Sequence, residues 1–228
     1  PTLSVYIFTD CGNVQLRAIA GGTGDILITG TGLFDARGGS NTGIATLSNG
    51  GGNITNNGEV YSGTAGRLFA QAGGATGAFI QNGIYEGGTE ALLGTTVRAN
   101  NGILVNQPIT GTGMVNLNGD FDSSGAGDVT LAAAVSGDGG VTINGASVFG
   151  NPGVNITAQN NTIDIDSTVG AVDIVGAINS NGGGITVNSA STLDLGTGAL
   201  SSGGGAIALA SVNSMQLFGA VTTSGGTF

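Results

Sequence analysis

The sequence predicts an all-β fold, a parallel β-helix (β-solenoid) with coils of about 21–22 residues. Three observations predict it. Ile163, Ile185, Ile207 and Phe228 recur at steps of 22, 22 and 21 residues, with matching surroundings. Within each unit the apolar residues alternate with polar ones, as in Ile185-Thr-Val187 and Leu193-Asp-Leu195, the period of a strand with one buried face. Between the alternating runs lie turns of Gly, Ser and Asn, such as Gly182–Gly184 and Gly203–Gly205. Repeats of this length that contain only strands stack coil on coil, because one coil alone cannot bury its apolar face.

From the N-terminus, Asp25-Ile-Leu-Ile28, Ile44-Ala-Thr-Leu47, Gly66-Arg-Leu-Phe69 and Ile103-Leu-Val105 read as strands separated by Gly/Asn turns. Residues 1–102 are expected to form irregular β-helix coils with longer loops, or a β-sandwich cap. That half holds every Arg (Arg17, Arg37, Arg67, Arg98), all three Glu (Glu59, Glu86, Glu90) and seven Phe/Tyr (Tyr6, Phe8, Phe34, Tyr61, Phe69, Phe79, Tyr85).

Residues 103–228 are expected to form regular repeats, open at the C-terminal end. Val172-Asp-Ile174 with Ile178 is echoed by Val129-Thr-Leu131 with Val135 and by Ile103-Leu-Val105 with Ile109. New strands follow at Val115-Asn-Leu117 and Val141-Thr-Ile143, while Ser123–Gly127 lengthens one coil. Stacking places Ile163, Ile185 and Ile207 in a column ~4.8 Å apart, each worth roughly 1.5 to 3 kcal/mol of burial. Ser201-Ser202, Thr222-Thr223 and Asn179–Asn181 are expected to form polar ladders at the corners. Some ten coils would give a rod about 50 Å long. Phe228 falls at the start of a further coil. With no polar cap after it, the sequence reads as a piece of a longer protein, or a subunit end covered by another copy.

Units such as GAVDIVGAINSNGGGITV and GGGITVNSASTLDLGTGALSSGGGAIALAS carry a family likeness. Through them, residues 103–228 resemble the repeat regions of filamentous-haemagglutinin-like secreted adhesins and autotransporter passengers. The resemblance implies a right-handed parallel β-helix, exported across a bacterial envelope and acting as an extended surface adhesin or structural fibre.

Composition narrows the alternatives. The 47 glycines cluster and do not fall at every third position, which excludes collagen. A mean hydropathy of +0.29 supplies the apolar surface that a disordered chain lacks. With four Arg, no Lys and a net charge of −10, the chain lacks the cations that neutralise nucleic-acid phosphates or an anionic membrane surface. No apolar run approaches the length of a transmembrane helix, the residues from Pro1 onward show no basic-then-apolar leader pattern, and Pro1 reads as a processed end or a cut boundary. Cys11 is alone, so no internal disulfide forms, and the absence of His and of a Cys cluster leaves no zinc or iron site. No metal or other cofactor is expected.

Several groups qualify as candidate sites. Asp164, Asp166 and Asp173 form the densest carboxylate set, with Asp164 and Asp166 ~7 Å apart on one strand face. They read as a solvated outer face, against calcium binding or acid/base work on a polysaccharide; β-helix lyases commonly add an Arg or Lys base, and this half has none. Gly21-Gly-Thr-Gly-Asp25 and Gly125-Ala-Gly-Asp128 partly match calcium-binding β-roll turns but do not recur in tandem, so they read as tight turns. Asn53, Asn155 and Asn160 open glycosylation sequons, which chance supplies in such a composition. Tyr61, Phe69, Phe79 and Tyr85 read as core or cap residues in preference to a sugar-stacking patch. A flat ice-like array would need a Thr-x-Thr column, which is not seen. No catalytic, metal or cofactor residue is assigned.

The expected function is a non-catalytic, extracellular structural or adhesive segment of a large bacterial surface or filament protein. Its expected partners are other copies, neighbouring segments of the same chain, or surface glycans. A self-assembling fibre, sheath or surface-layer subunit is the alternative, followed by a polysaccharide-acting enzyme or tailspike.

Overall fold

The computed structural model describes residues 6–8, 14–18, 25–37, 44–88 and 94–228. They form 28 strands and no helix, in three sheets of ten, nine and nine strands. One coil shows the plan. Ile163–Ser167 lies in the first sheet, Val172–Ile174 in the second and Ala177–Asn179 in the third. The chain then returns through Ser180–Gly184 to the first sheet at Ile185–Ser189. Each strand therefore pairs with its counterpart one coil away, and every pairing is parallel; the third sheet runs from Tyr6–Phe8 to Val221–Thr222. The parallel β-solenoid of the sequence reading is the fold.

The columns come from alternation. In the first sheet Val141, Ile163, Ile185 and Ile207 are mutual partners, and so are Ile143, Ile165, Val187 and Leu209. Ile163, Ile165 and Ile185 are buried, while Asp164, Asp166 and Thr186 between them point outward. The predicted register of the last coils is thus the observed one. Ile207 donates its N–H to Thr227 O at 2.8 Å, as Ile185 does to Ala206 O, so Phe228 stands where the alignment put it.

Coil length varies more than the last repeats suggest. Ile26, Ile54, Phe79, Ile103, Val129, Val148, Val172, Leu193 and Met215 form one column of the second sheet. Successive steps along it are 28, 25, 24, 26, 19, 24, 21 and 22 residues, so the 21–22-residue period describes the coils after Val172. The described strands before residue 103 continue the same three sheets. Their sequence series, however, mixed two columns: Ile26–Ile28 and Ile103–Val105 lie in the second sheet, Ala45–Asn49 and Leu68–Ala72 in the first.

The Ser/Thr corner hydroxyls of the last coils bond within and between coils, as the predicted polar ladders require. Ser180 and Ser202 are fully buried. Ser180 Oγ donates to Gly183 O and to Ser202 O (3.2 Å); Ser202 Oγ donates to Gly205 O and Thr223 O (3.4 Å), and Thr223 Oγ1 to Gly226 O (2.8 Å). A second ladder runs through Ser167 and Ser189, whose hydroxyls bond Gly170 O and Thr192 O at 2.8 and 2.7 Å. Replacing Ser202 with Ala deletes a buried hydroxyl that bonds part-buried carbonyls of its own coil and the next, so Ser202→Ala is expected to cost about 0.5–1.5 kcal/mol in urea-melt stability. A solvent-exposed serine, Ser214→Ala, is the smaller-effect control.

The Ser123–Gly127 insertion does lengthen its coil, and one carboxylate pins it. Asp120, 5% exposed, accepts from Gly125 N–H (3.0 and 3.1 Å), Ser124 Oγ (3.3 Å) and Thr168 Oγ1 (3.1 Å). Ser123 (φ 56°) and Gly125 (φ 78°) take the left-handed conformations that fold the loop back. Among the described residues, no helix is long and apolar enough to cross a membrane.

Candidate functional site

The structure separates the acidic residues that the sequence grouped. Asp164 and Asp166 point outward from the first sheet; Asp173 lies in the second sheet, beside Asp194 of the next coil. Asn188 Nδ2 donates to Asp166 Oδ1 at 2.7 Å. Partial burial, then the charge of Asp166, raises the Asp164 carboxyl above its ordinary value; burial, then Asp194, does the same for Asp173. Among the described residues no three His, Cys, Asp or Glu converge on a metal-sized point.

These shifts fix the sign of a pH effect. A carboxyl raised in the folded state binds its proton more tightly there, so its ionisation destabilises the fold. Stability from this source is present below the ordinary carboxylate value of 3.8 and lost as pH rises through the raised one. Asp173→Asn is expected to gain roughly 0.2–1 kcal/mol at pH 7, by removing a partly buried charge and then its repulsion from Asp194 on the adjacent strand. Urea melts should show the gain shrinking toward pH 4.

Both calcium-like turns have a structural use at their aspartates. Asp25 Oδ1 accepts the N–H of Asn53 (2.8 Å), and Asp128 Oδ1 accepts that of Ser147 (2.9 Å), in each case from the next coil. Asn53 Oδ1 repeats the bond to Ala78 N–H at 3.0 Å. These carboxylates cap backbone donors beside the second sheet. The Gly21–Gly24 part of the first turn, and Cys11, lie outside the described residues.

Of the aromatic set, Phe79 and Tyr85 are fully buried and meet edge to face, with centroids 5.4 Å apart. The Tyr85 hydroxyl is buried without a hydrogen-bond partner, so Tyr85→Phe is expected to hold or raise the melting temperature. Phe69 faces outward instead. Arg98 lies between its ring (5.6 Å) and that of Phe121 (4.7 Å), a cation–π stack on the first sheet.

Charged and polar groups converge most closely on the third sheet. Asp35, Tyr61, Glu86 and Thr110 are successive register partners on its outer face. Arg37 follows Asp35 and grips its carboxylate with two side-chain bonds of 2.9 and 2.7 Å, while its guanidinium lies 3.5 Å from the Tyr61 ring centre. The Arg37 hydrogen bonds hold Asp35 below the usual carboxylate range. Burial, then the hydrogen bond to Glu59 (3.1 Å), raises the Tyr61 phenol. Arg37, Tyr61, Ser62, Thr64, Glu86 and Thr112 line a cleft of about 90 Å³. Ligand pockets for drug-sized molecules and cofactors span roughly 300–1,000 Å³. The cleft suits a side group of a larger polar ligand, with Glu86 to accept and hydroxyls to exchange hydrogen bonds.

The outer row of that sheet continues beyond Glu86 as Thr110, Ser136, Thr157, Asn179, Ser201 and Thr222, one per coil. Thr157 Oγ1 donates to Ser136 Oγ at 3.0 Å. Two residues earlier in these coils stand Pro108, Ala134, Asn155, Ala177, Ala199 and Ala220. From Ala134 onward a mostly small-residue row lies beside the hydroxyl-rich row, repeating at the strand separation of ~4.8 Å. A Thr-x-Thr pattern does not describe it, because Ala usually takes the first position and Ser, Thr and Asn share the last.

Comparison of this chain with family models, with curated proteins and with solved structures gives no match.

Proposed function

We propose that the chain is a rigid, non-catalytic rod of an extracellular bacterial surface or filament protein, with the third sheet as its adhesive face. The single observation behind this reading is the unbroken row from Asp35 through Tyr61 and Glu86 to Thr222 on that sheet. A flat array of hydroxyls, amides and carboxylates at strand spacing complements a polymer that repeats its own hydroxyls, which favours surface glycans. The stack of about 43 Å, nine steps of ~4.8 Å, would hold that face straight.

The test is retention of the purified chain on a panel of insoluble and immobilised polysaccharides. Widening the flat row with Ala177→Tyr and Ala199→Tyr should abolish retention while leaving the circular dichroism spectrum unchanged. Retention that survives both substitutions would sink the assignment of the face. Loss of viscosity in acidic polysaccharide solutions would replace the rod by an enzyme or tailspike. A second reading, a self-assembling subunit, is favoured by a separate observation: apolar side chains point outward from the second sheet.

A further inference from the structure

We infer that the cleft on the third sheet seats the protonated amino group of an amino sugar, with Glu86 as its counter-ion. The inference rests on the reading of that sheet as a glycan-binding face, and it names the sugar unit that this end of the face selects. The cleft lies where the outer row is richest in charge, beside Asp35, Tyr61 and Glu86 and the turns that follow their strands.

Its charges are unevenly matched. Arg37, the one cation lining it among the described residues, is held by Asp35 through bonds of 2.9 and 2.7 Å and lies 3.5 Å from the Tyr61 ring centre. The Tyr61 hydroxyl donates to Glu59 at 3.1 Å, which brings a further carboxylate to the same corner. Asp35, Glu59 and Glu86 against Arg37 leave two negative charges there. Of the three carboxylates, Glu86 alone lines the cleft. It is exposed and, among the described residues, makes no ion pair and no side-chain hydrogen bond. Arg37 is near enough to feel its charge, yet directs its hydrogen bonds to Asp35.

Two more acceptors share the space. Thr64 and Thr112 line the cleft, are exposed, and make no side-chain hydrogen bond among the described residues. Ser62 differs, since its hydroxyl already accepts from Gly88 N–H (2.8 Å) and donates to Gly63 O (3.2 Å), so it shapes the wall. A primary ammonium carries three donors and no acceptor. Glu86, Thr64 and Thr112 offer one acceptor group for each donor. An anionic group would instead face the Glu86 carboxylate, and a sugar hydroxyl or an acetamide N–H brings a single donor and no charge. Size agrees with chemistry. About 90 Å³ holds roughly three waters, room for an amino group on its ring carbon, while the ring stays outside along the row through Thr110 and Ser136.

Titration calorimetry of the full chain with a β-1,4-linked glucosamine tetramer and with its N-acetylated form tests this. Charge-assisted bonds are roughly twice as strong as neutral ones, so the free-amine tetramer should bind on the order of tenfold more tightly. Its affinity should fall as pH rises through the amine's own pKa. Glu86→Gln, at an exposed position, should leave the circular dichroism spectrum unchanged and bring the two tetramers to equal affinity. Asp194→Asn removes the same charge from the second sheet and should leave the preference intact, which separates the cleft from the general attraction of a −10 chain for a polycation. Equal losses in Glu86→Gln and Asp194→Asn would assign the preference to net charge and overturn the proposal. Tighter binding of the acetylated tetramer, or an affinity indifferent to pH, overturns it too. Retention on neutral polysaccharides that Ala177→Tyr and Ala199→Tyr abolish, with no preference for the amine, would refute this inference alone. A chain that binds neither tetramer nor any polysaccharide of the panel would refute the adhesive face with it.

Discussion

Gly198→Val is expected to lower stability by at least about 3 kcal/mol and to release the coils that follow it. Gly198 belongs to a corner column with Gly176 and Gly219, where the chain turns from the second sheet into the third. A Cβ on Gly198 would sit 2.1 Å from Gly176 O and 2.2 Å from its carbon; on Gly219 it would meet Gly198 O at 1.8 Å. The obstructing atoms are backbone, so no side-chain rotation relieves the clash. The coil must lift instead, straining the Ile178 N–H to Ala199 O and Leu200 N–H to Ala220 O bonds, both near 2.9 Å. Solenoid coils couple mainly to their neighbours, so the damage stays local. Hydrogen exchange should rise across residues 185–228 and remain low across the Ile103–Val148 coils. Gly204→Ala is the contrast: φ is +136° and nothing lies within 4 Å, so only the backbone conformation resists, at about 1 kcal/mol. Equal urea midpoints for the two variants would refute the close-approach argument.

Register is legible in the sequence where coil length is constant and is lost where it drifts. The register of Ile163, Ile185 and Ile207 was legible because no residue is inserted between those coils. The coil containing Val148-Phe-Gly150 went unseen between two recognised echoes. Its third-sheet partner, Ile156, follows Val148 by eight residues, because the Asn151–Val154 turn is inserted, and the six-residue landmark therefore fails. In the first hundred residues, steps of 28 and 25 hid the columns entirely. The candidate site was less legible still. Asp35, Tyr61 and Glu86 are 26 and 25 residues apart and share no local motif; only the parallel register brings them into one row. Arg37 shows only its charge in the sequence, since its stacking on Tyr61 depends on the coil above. Conversely, Asp164, Asp166 and Asp173 looked clustered because they are close in sequence, and a corner puts them on different faces.

Ile165→Ala should cost about 3 kcal/mol, while Asp164→Ala, one residue away, should be neutral or slightly stabilising. Ile165 is fully buried between Ile143 and Val187 of the adjoining coils. Truncation removes apolar contact with both neighbours and leaves a cavity that rigid strands on either side cannot close. Asp164 faces out, its carboxyl raised by partial burial and by the charge of Asp166, so deleting it relieves a penalty. The opposite signs follow from strand alternation alone, since a one-residue slip in register would exchange the two positions. The pair also separates apolar packing from charge. Below the ordinary carboxylate value of 3.8 the carboxyl is protonated in both the folded and the unfolded chain, so the gain from Asp164→Ala should vanish there, whereas the Ile165→Ala loss should remain at every pH. Urea midpoints for both variants at neutral pH and at a pH below that value decide it. If Asp164→Ala proved the more damaging, the buried and exposed faces of this strand would have to be exchanged, and with them the column that aligns the last coils.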